Sequence, residues 1–258
     1  MKLAVIGPGL IGHSVALAAG RAQPHADIVE IDRGEPLDAA VDADVIVLAA
    51  PVDVILELIA HHAHVLGTAL AIDTGSTKRA IVRAARHAGL DRFVGGHPMA
   101  GGTTSGASAA RADLFEGKTW FLVPHGAAPD AVATAQTFVE RLGARPVVME
   151  DDGAEHDRVM AAVSHLPQAV ASVLMTVAAA SAGERLSWAG SGLLDTTRLA
   201  ASDGALWQSI LSSNAGELRP LLLEMSARLS RLADELDDAA VIGDLFARAR
   251  RARATLEP

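Results

Sequence analysis

Leu3-Ala4-Val5-Ile6-Gly7-Pro8-Gly9-Leu10-Ile11-Gly12 is the stretch that decides the fold. An apolar strand runs into a G-x-G-x-x-G turn, and the turn opens a helix with Val15 and Leu17 expected on its buried side. The pattern alone is weak, but here it stands in strand–turn–helix order, and Asp32 lies 20 residues beyond Gly12. In that arrangement Gly7 permits the tight turn, Gly9 lets backbone approach a pyrophosphate and Gly12 allows close helix–strand packing. The helix N-terminus then faces the phosphate charge. Asp32, at the end of a second strand, would accept hydrogen bonds from an adenosine ribose and repel a 2′-phosphate, whereas the neighbouring Arg33 could accommodate one. Leu10 and Ile11 in the turn and Pro51 beyond the third strand join Gly7, Gly9, Gly12, Asp32 and Arg33 as candidate cofactor-binding residues. The expected cofactor is NAD.

Outward from this turn, residues 1–150 alternate short apolar runs with helical patterns, the mark of βαβ units around a doubly wound parallel sheet. Strands are expected at Leu3–Ile6, Asp27–Ile31, Val45–Ala49, Ala69–Ile72, Phe93–Val94, Thr119–Val123 and Pro146–Met149. Several are unbroken apolar runs, as strands covered on both faces require. Helices are expected at Thr77–His87, stopped by Gly89, and at Asp130–Leu142, stopped by Gly143. From Asp151 onward helical periodicity takes over, as in Glu217–Leu236 with leucines at 218, 221, 222, 229 and 232. The expected architecture is an α/β Rossmann-type domain (1–150) followed by an all-α domain for substrate binding and dimerisation (151–258).

Composition narrows the functional classes. Of 258 residues, 50% are hydrophobic and 21% charged, which suits ordinary globular domains and excludes a disordered or fibrous chain. Zero cysteines remove disulfides, zinc–thiolate sites, iron–sulfur clusters and a cysteine nucleophile. The net charge of -9, from 22 basic and 31 acidic residues, argues against nucleic acid as a partner. The N-terminal apolar run is too short for a signal peptide, and Leu166–Gly183 contains Pro167 and Gln168, so the chain reads as cytoplasmic and free of membrane. That helix is nevertheless apolar on nearly all sides, with Val170, Val173, Leu174, Met175 and Val177. A domain of this size can hardly bury it alone, which points to a homodimer. Gly117-Lys118-Thr119 leads into a strand and not a helix, so it is no P-loop. His61, His62 and His64 lack a completing carboxylate or thiolate, so no metal is expected.

Three further segments carry chemistry: Asp73-Thr74-Gly75-Ser76-Thr77-Lys78, Gly95-Gly96-His97-Pro98-Met99-Ala100-Gly101-Gly102, and Ser164-His165-Leu166-Pro167-Gln168. The first two follow strands, where ligands of doubly wound sheets bind, and the third opens the apolar helix. With the glycine turn, with Asp195-Thr196-Thr197-Arg198 and with Ser202-Asp203 to Trp207, these segments resemble the prephenate dehydrogenase family, which includes the arogenate dehydrogenases. The resemblance runs nearly the whole chain and ends near Asn214. It implies NAD(P)-dependent oxidative decarboxylation of prephenate to 4-hydroxyphenylpyruvate in tyrosine biosynthesis. It also implies dimers whose helical domains interlock, with the active site in the cleft between domains. Two departures stand out. Thr103 occupies a place that is often glutamate in the family, and Thr196 one that is usually aromatic.

Within that frame His97 is the candidate base, taking a proton through one ring nitrogen, and Ser76 bonds the substrate hydroxyl or orients His97 and the nicotinamide. Prephenate is a dianion, so Arg198 is the candidate carboxylate anchor, held by Asp195 at i−3. His165 either contacts the other end of the substrate or caps its helix. A 3-hydroxyacid dehydrogenase would instead rely on a helix-borne lysine, yet the last lysine here is Lys118. A non-catalytic dinucleotide sensor would have no use for Ser76, His97 and Arg198 together.

Overall fold

The computed structural model describes residues 1–67, 69–101 and 106–256. Seven strands form one sheet: β1 (Lys2–Ile6), β2 (Asp27–Ile31), β3 (Val45–Leu48), β4 (Leu70–Asp73), β5 (Phe93–Pro98), β6 (Thr119–Val123) and β7 (Arg145–Val148). Their order is β2-β1-β3-β4-β5-β6-β7, so the strand order reverses between β1 and β3, beside the glycine turn. The sheet is parallel except at one seam, where β6 runs antiparallel to β5 with Gly96 opposite Leu122 and His97 opposite Phe121. The expected doubly wound parallel sheet is present, with this one antiparallel seam. The segment 99–118 between these strands contains no α-helix among the described residues, only a 3-10 turn at Ala107–Ala109, so no helical crossover returns the chain in the parallel sense.

The α-helices α1 (Leu10–Ala22) and α4 (Pro129–Arg141) cover one face of the sheet. α2 (Val52–Leu66) and α3 (Arg79–His87) cover the other. Covered on both sides, β3 and β4 are buried at every position, which is why they read as unbroken apolar runs. Leu17 is 37% exposed and lies off the buried stripe formed by Val15, Ala18 and Ala19, against expectation. Both clusters draw on alternate residues of the same strands, such as Val45 and Val47 on one face and Ile46 and Leu48 on the other.

Beyond β7 every regular element is helical: α5 (Ala154–Met160), a π-turn at Ala161–His165, α6 (Leu166–Ala182), α7 (Ser191–Thr196), α8 (Gly204–Ser213), α9 (Ala215–Asp234) and α10 (Ala239–Ala254). The run Ala154–Trp188 is long and apolar enough, by length and composition, to cross a membrane, and little of it is buried within the chain. Its N-terminal end is polar and buried, however, with His156 and Asp157 held against the sheet domain and His165 bonded to Asn214. The exposed part carries Val173 at 60% and Val177 at 56%, an apolar face wanting cover.

Candidate active site

The glycine turn forms a cradle at the carboxyl end of β1. Gly7 takes φ +94°, and a Cβ there would stand 2.4 Å from the Ala49 carbonyl oxygen, so only glycine fits. A Cβ on Gly12 would lie 2.2 Å from the Gly7 oxygen, which fixes the close approach of α1 to β1. Gly9, by contrast, borders open space. No side chain caps α1, so its first N–H groups point outward without intrahelical acceptors, a ready anion site. Asp32 follows β2 directly and is exposed, with its carboxylate accepting the Arg33 N–H at 2.7 Å. Pro51 precedes α2 at the end of β3. This geometry fits a dinucleotide: space and free donors for the pyrophosphate, a carboxylate for the ribose. Gly7, Gly9, Leu10, Ile11, Gly12, Asp32, Arg33 and Pro51 all lie at the carboxyl ends of β1, β2 and β3.

A second constellation lies at the ends of β4 and β5. His97 is within β5, not beyond its end as the sequence suggested, because pairing with β6 carries the strand on to Pro98. His97 Nδ1 lies 2.9 Å from His156 Nε2, and His156 Nδ1 lies 2.8 Å from Asp157 Oδ1. The proton positions follow from the end of this chain. Asp157 can only accept, so His156 carries its proton on Nδ1 and offers a lone pair at Nε2. His97 therefore donates from Nδ1, and its own Nε2 is left with a free lone pair. Burial first, then the charges of His156, Lys78 and His165, hold the His97 pKa well below the usual histidine value. The ring is neutral at pH 7 and able to take a proton.

Asp157 does more than orient His156. Its carboxylate accepts from the Lys78 N–H at 2.6 Å and the Arg79 N–H at 3.0 Å, capping α3 from the helical domain. That is why α3 begins at Arg79 and not at Thr77. The Asp157 carbonyl in turn accepts from Asn214 Nδ2 at 2.7 Å, and the same amide nitrogen lies 3.1 Å from His165 Nδ1. His165 sits in the π-turn before α6, 1% exposed, and makes no helix-capping bond. Of its two expected roles, capping is corrected to a bond with Asn214. Burial pulls its pKa down to about 4.

Ser76 is half-buried, and its hydroxyl makes no hydrogen bond among the described residues; His156 orients His97 instead. Asp195 and Arg198 are both exposed and form no ion pair with each other, against expectation. α7 ends at Thr196 and a separate 3-10 turn starts at Arg198, so the helical i, i+3 geometry that would join them is broken. Thr103 lies outside the described residues. Sequence reading missed His156, Asp157 and Asn214 as site residues and gave no role to Asp73 and Lys78. Nothing local marks His156 as a partner of a histidine 59 residues earlier.

Comparison with known proteins agrees with this geometry. A family model described as the prephenate dehydrogenase nucleotide-binding domain matches residues 18–148, and one described as the prephenate dehydrogenase dimerization domain matches residues 152–246. The chain is 32% identical to the prephenate dehydrogenase of Lactococcus lactis subsp. cremoris (strain MG1363), over 99% of this chain and 77% of that protein. Among solved structures, prephenate dehydrogenase from A. aeolicus, in complex with hydroxyphenyl propionate and NAD+, superposes with a TM-score of 0.89. It is 24% identical, and the match covers 100% of this chain and 98% of that one. Arogenate dehydrogenase from Synechocystis gives a TM-score of 0.79 at 26% identity, with both chains covered in full.

Proposed function

The chain belongs to the prephenate dehydrogenase family, and from that premise we propose that it oxidises and decarboxylates prephenate to 4-hydroxyphenylpyruvate with NAD, in tyrosine biosynthesis. The observation that carries this reading is the Asp157–His156–His97 chain, which leaves an unprotonated ring nitrogen at the carboxyl end of the sheet. In the proposed mechanism His97 Nε2 takes the proton of the ring hydroxyl while the hydride leaves the same carbon. When bound, NAD supplies the hydride acceptor. The electrons of the bond to the ring carboxylate then flow through the ring onto the oxygen, carbon dioxide departs, the ring becomes aromatic and the oxygen takes back a proton. Ser76 is assigned to bond the substrate hydroxyl, supported by a hydroxyl that makes no bond among the described residues. His165, with Asn214 behind it, is assigned to the substrate's far end.

The glycine cradle and Asp32 support NAD over NADP, since a carboxylate repels a 2′-phosphate at short range. Arogenate, with an amino in place of the keto group, is the second substrate reading, supported by the likeness to the Synechocystis enzyme. We assign residues 1–150 to cofactor binding and 151–258 to substrate binding and dimerisation. Arg198 is assigned as carboxylate anchor, with Asp195 nearby in sequence; its exposed guanidinium, unpaired among the described residues, is free to meet a dianion. Following nicotinamide reduction by absorbance tests these assignments together. Turnover with NAD and prephenate is expected, with much lower efficiency with NADP. Absence of turnover with both prephenate and arogenate would overturn the activity. In the same assay Arg198→Ala is expected to raise KM for prephenate by a factor on the order of 10²–10³, the loss of a charged bidentate contact, with NAD saturation unchanged. Arg198→Lys should recover only part of this. Near-normal prephenate saturation in the Ala variant would make Arg198 structural.

The active molecule is proposed to be a homodimer. Val173, Val177, Leu194 and Leu223 of the helical half are exposed apolar side chains that a second copy would cover. Light scattering at micromolar concentration should give the mass of two chains, and a monomer mass would refute it.

A further inference from the structure

The pairing of β4 with β5 stops early. Its register contains only Ala71 opposite Phe93 and Ile72 opposite Val94. Beyond Val94, β5 continues for four residues along β6, so its other edge would be left without partners. At Gly96 that edge is taken over by two side chains. Asp73 Oδ1 accepts the Gly96 N–H at 2.9 Å, and Lys78 Nζ donates to the Gly96 carbonyl at 2.6 Å. The two side chains are ion-paired with each other and fully buried. Asp73 Oδ2 also accepts the Gly75 N–H at 2.8 Å, next to Ser76.

We propose that Asp73 and Lys78 are positioning residues for His97, holding the backbone of Gly96 by both its N–H and its C=O and so fixing where the imidazole stands. The proposal rests on the reading of His97 as the base. Stability is a poor explanation for such a pair, because burying two charges is costly and apolar replacements of similar volume often serve as well. What the pair provides is strand-like bonding where no strand runs. Had β4 continued, its backbone would fill the space at the carboxyl end of the sheet where ligands bind. Ending β4 at Asp73 and bonding Gly96 through side chains satisfies this edge of β5 and leaves that space open. Gly96 is part of the device, since a Cβ there would stand 2.3 Å from the Asp73 carbonyl oxygen and 2.8 Å from Ile72 Cγ1. The groups facing His97 are His156 from α5, His165 from the π-turn, Lys78 from the segment before α3, and the Phe121 ring at 6.5 Å. Of the charges on this side, Lys78 disfavours a protonated His97.

The test uses the full-length protein. Lys78→Met removes the ammonium but leaves Asp73 buried and unpaired, so the paired change Asp73→Asn with Lys78→Met carries the argument if the single variant does not fold. In either variant kcat is expected to fall between about tenfold and a hundredfold, with KM for prephenate and for NAD within about threefold of the original. The acidic limb of the rate profile should move to higher pH, because Lys78 no longer opposes protonation of His97. A folded variant with unchanged kcat and an unchanged acidic limb overturns the proposal. The unaltered protein offers a check that needs no variant: the Gly96 amide should exchange with solvent as slowly as the β-ladder amides, and exchange at loop rates overturns the clamp. His97→Asn assayed alongside separates the two ideas. If it keeps its turnover, the base reading fails; if it loses turnover while the paired variant behaves as wild type, only the positioning role falls.

Discussion

Replacing His97 with Asn is expected to lower kcat by a factor on the order of 10²–10⁴ while NAD affinity stays nearly intact. The two halves of that expectation come from different places in the molecule. Cofactor contacts are assigned to the ends of β1, β2 and β3, whereas His97 stands on β5, two strands beyond β3. Asn keeps a donor that can reach His156 Nε2, so the packing around position 97 should survive, but it has no basic nitrogen to offer. The pH profile of the unaltered enzyme gives a second reading of the same assignment. With the His97 pKa held well below its usual value by burial, His156, Lys78 and His165, the rate should stay flat through neutrality. It should begin to fall only well below pH 6.5, the ordinary histidine value. An Asn variant with most of its turnover, or a profile that already falls at pH 7, would send the search to another base.

Acid should unfold this protein early. His97, His156 and His165 all have pKa values lowered in the folded state, chiefly by burial. The unfolded chain therefore binds protons that the folded one refuses, and stability rises with pH over that window. Above about pH 6.5 both states are neutral at these rings and the effect is complete; below it stability is lost until the folded pKa is reached. For His165, with a folded value of about 4, the loss by pH 5 is about 2 kcal/mol, a lowering of Tm by about 4–8 °C. His97 and His156 add to it in the same sense. Differential scanning calorimetry from pH 8 to pH 5 should show a flat Tm above neutrality and a steep fall below it. A Tm that does not change over the whole range would mean that these rings are not buried in solution.

Much of this was legible in the residues themselves, and the reason is physical. Strands such as Val45–Leu48 are covered on both faces, so burial writes itself into the chain as an unbroken apolar run. Gly7 and Gly12 are dictated by backbone contacts within a few residues, which local reading can reach. The site was legible only where it is local. His97 and Ser76 lie in short glycine-rich segments at or just past strand ends, but the partners that give His97 its tautomer come from α5, 59 and 60 residues on. Asp157 looks like any acidic residue in the first turn of a helix, and only the folded chain turns its carboxylate onto α3. Lys78 would be read as a surface lysine by composition, since lysine is almost never fully buried without a partner. Asp195 and Arg198 failed in the opposite way. Their spacing promised a helical pair, and a one-residue break at Thr197 undid it.

Asp157 belongs to the helical half, yet the helix it caps and the histidine it governs through His156 serve the other half. The halves are therefore not interchangeable cassettes. A hybrid that joined this sheet domain to the helices of a distant relative would keep its glycine cradle whole, because every part of that cradle is supplied from within the first fifty-one residues. Its His97 would keep its place in the chain but lose the instruction that sets which nitrogen carries the proton. Recombination between such enzymes should thus yield proteins that hold a dinucleotide and do nothing with it, unless His156 and Asp157 travel with β5.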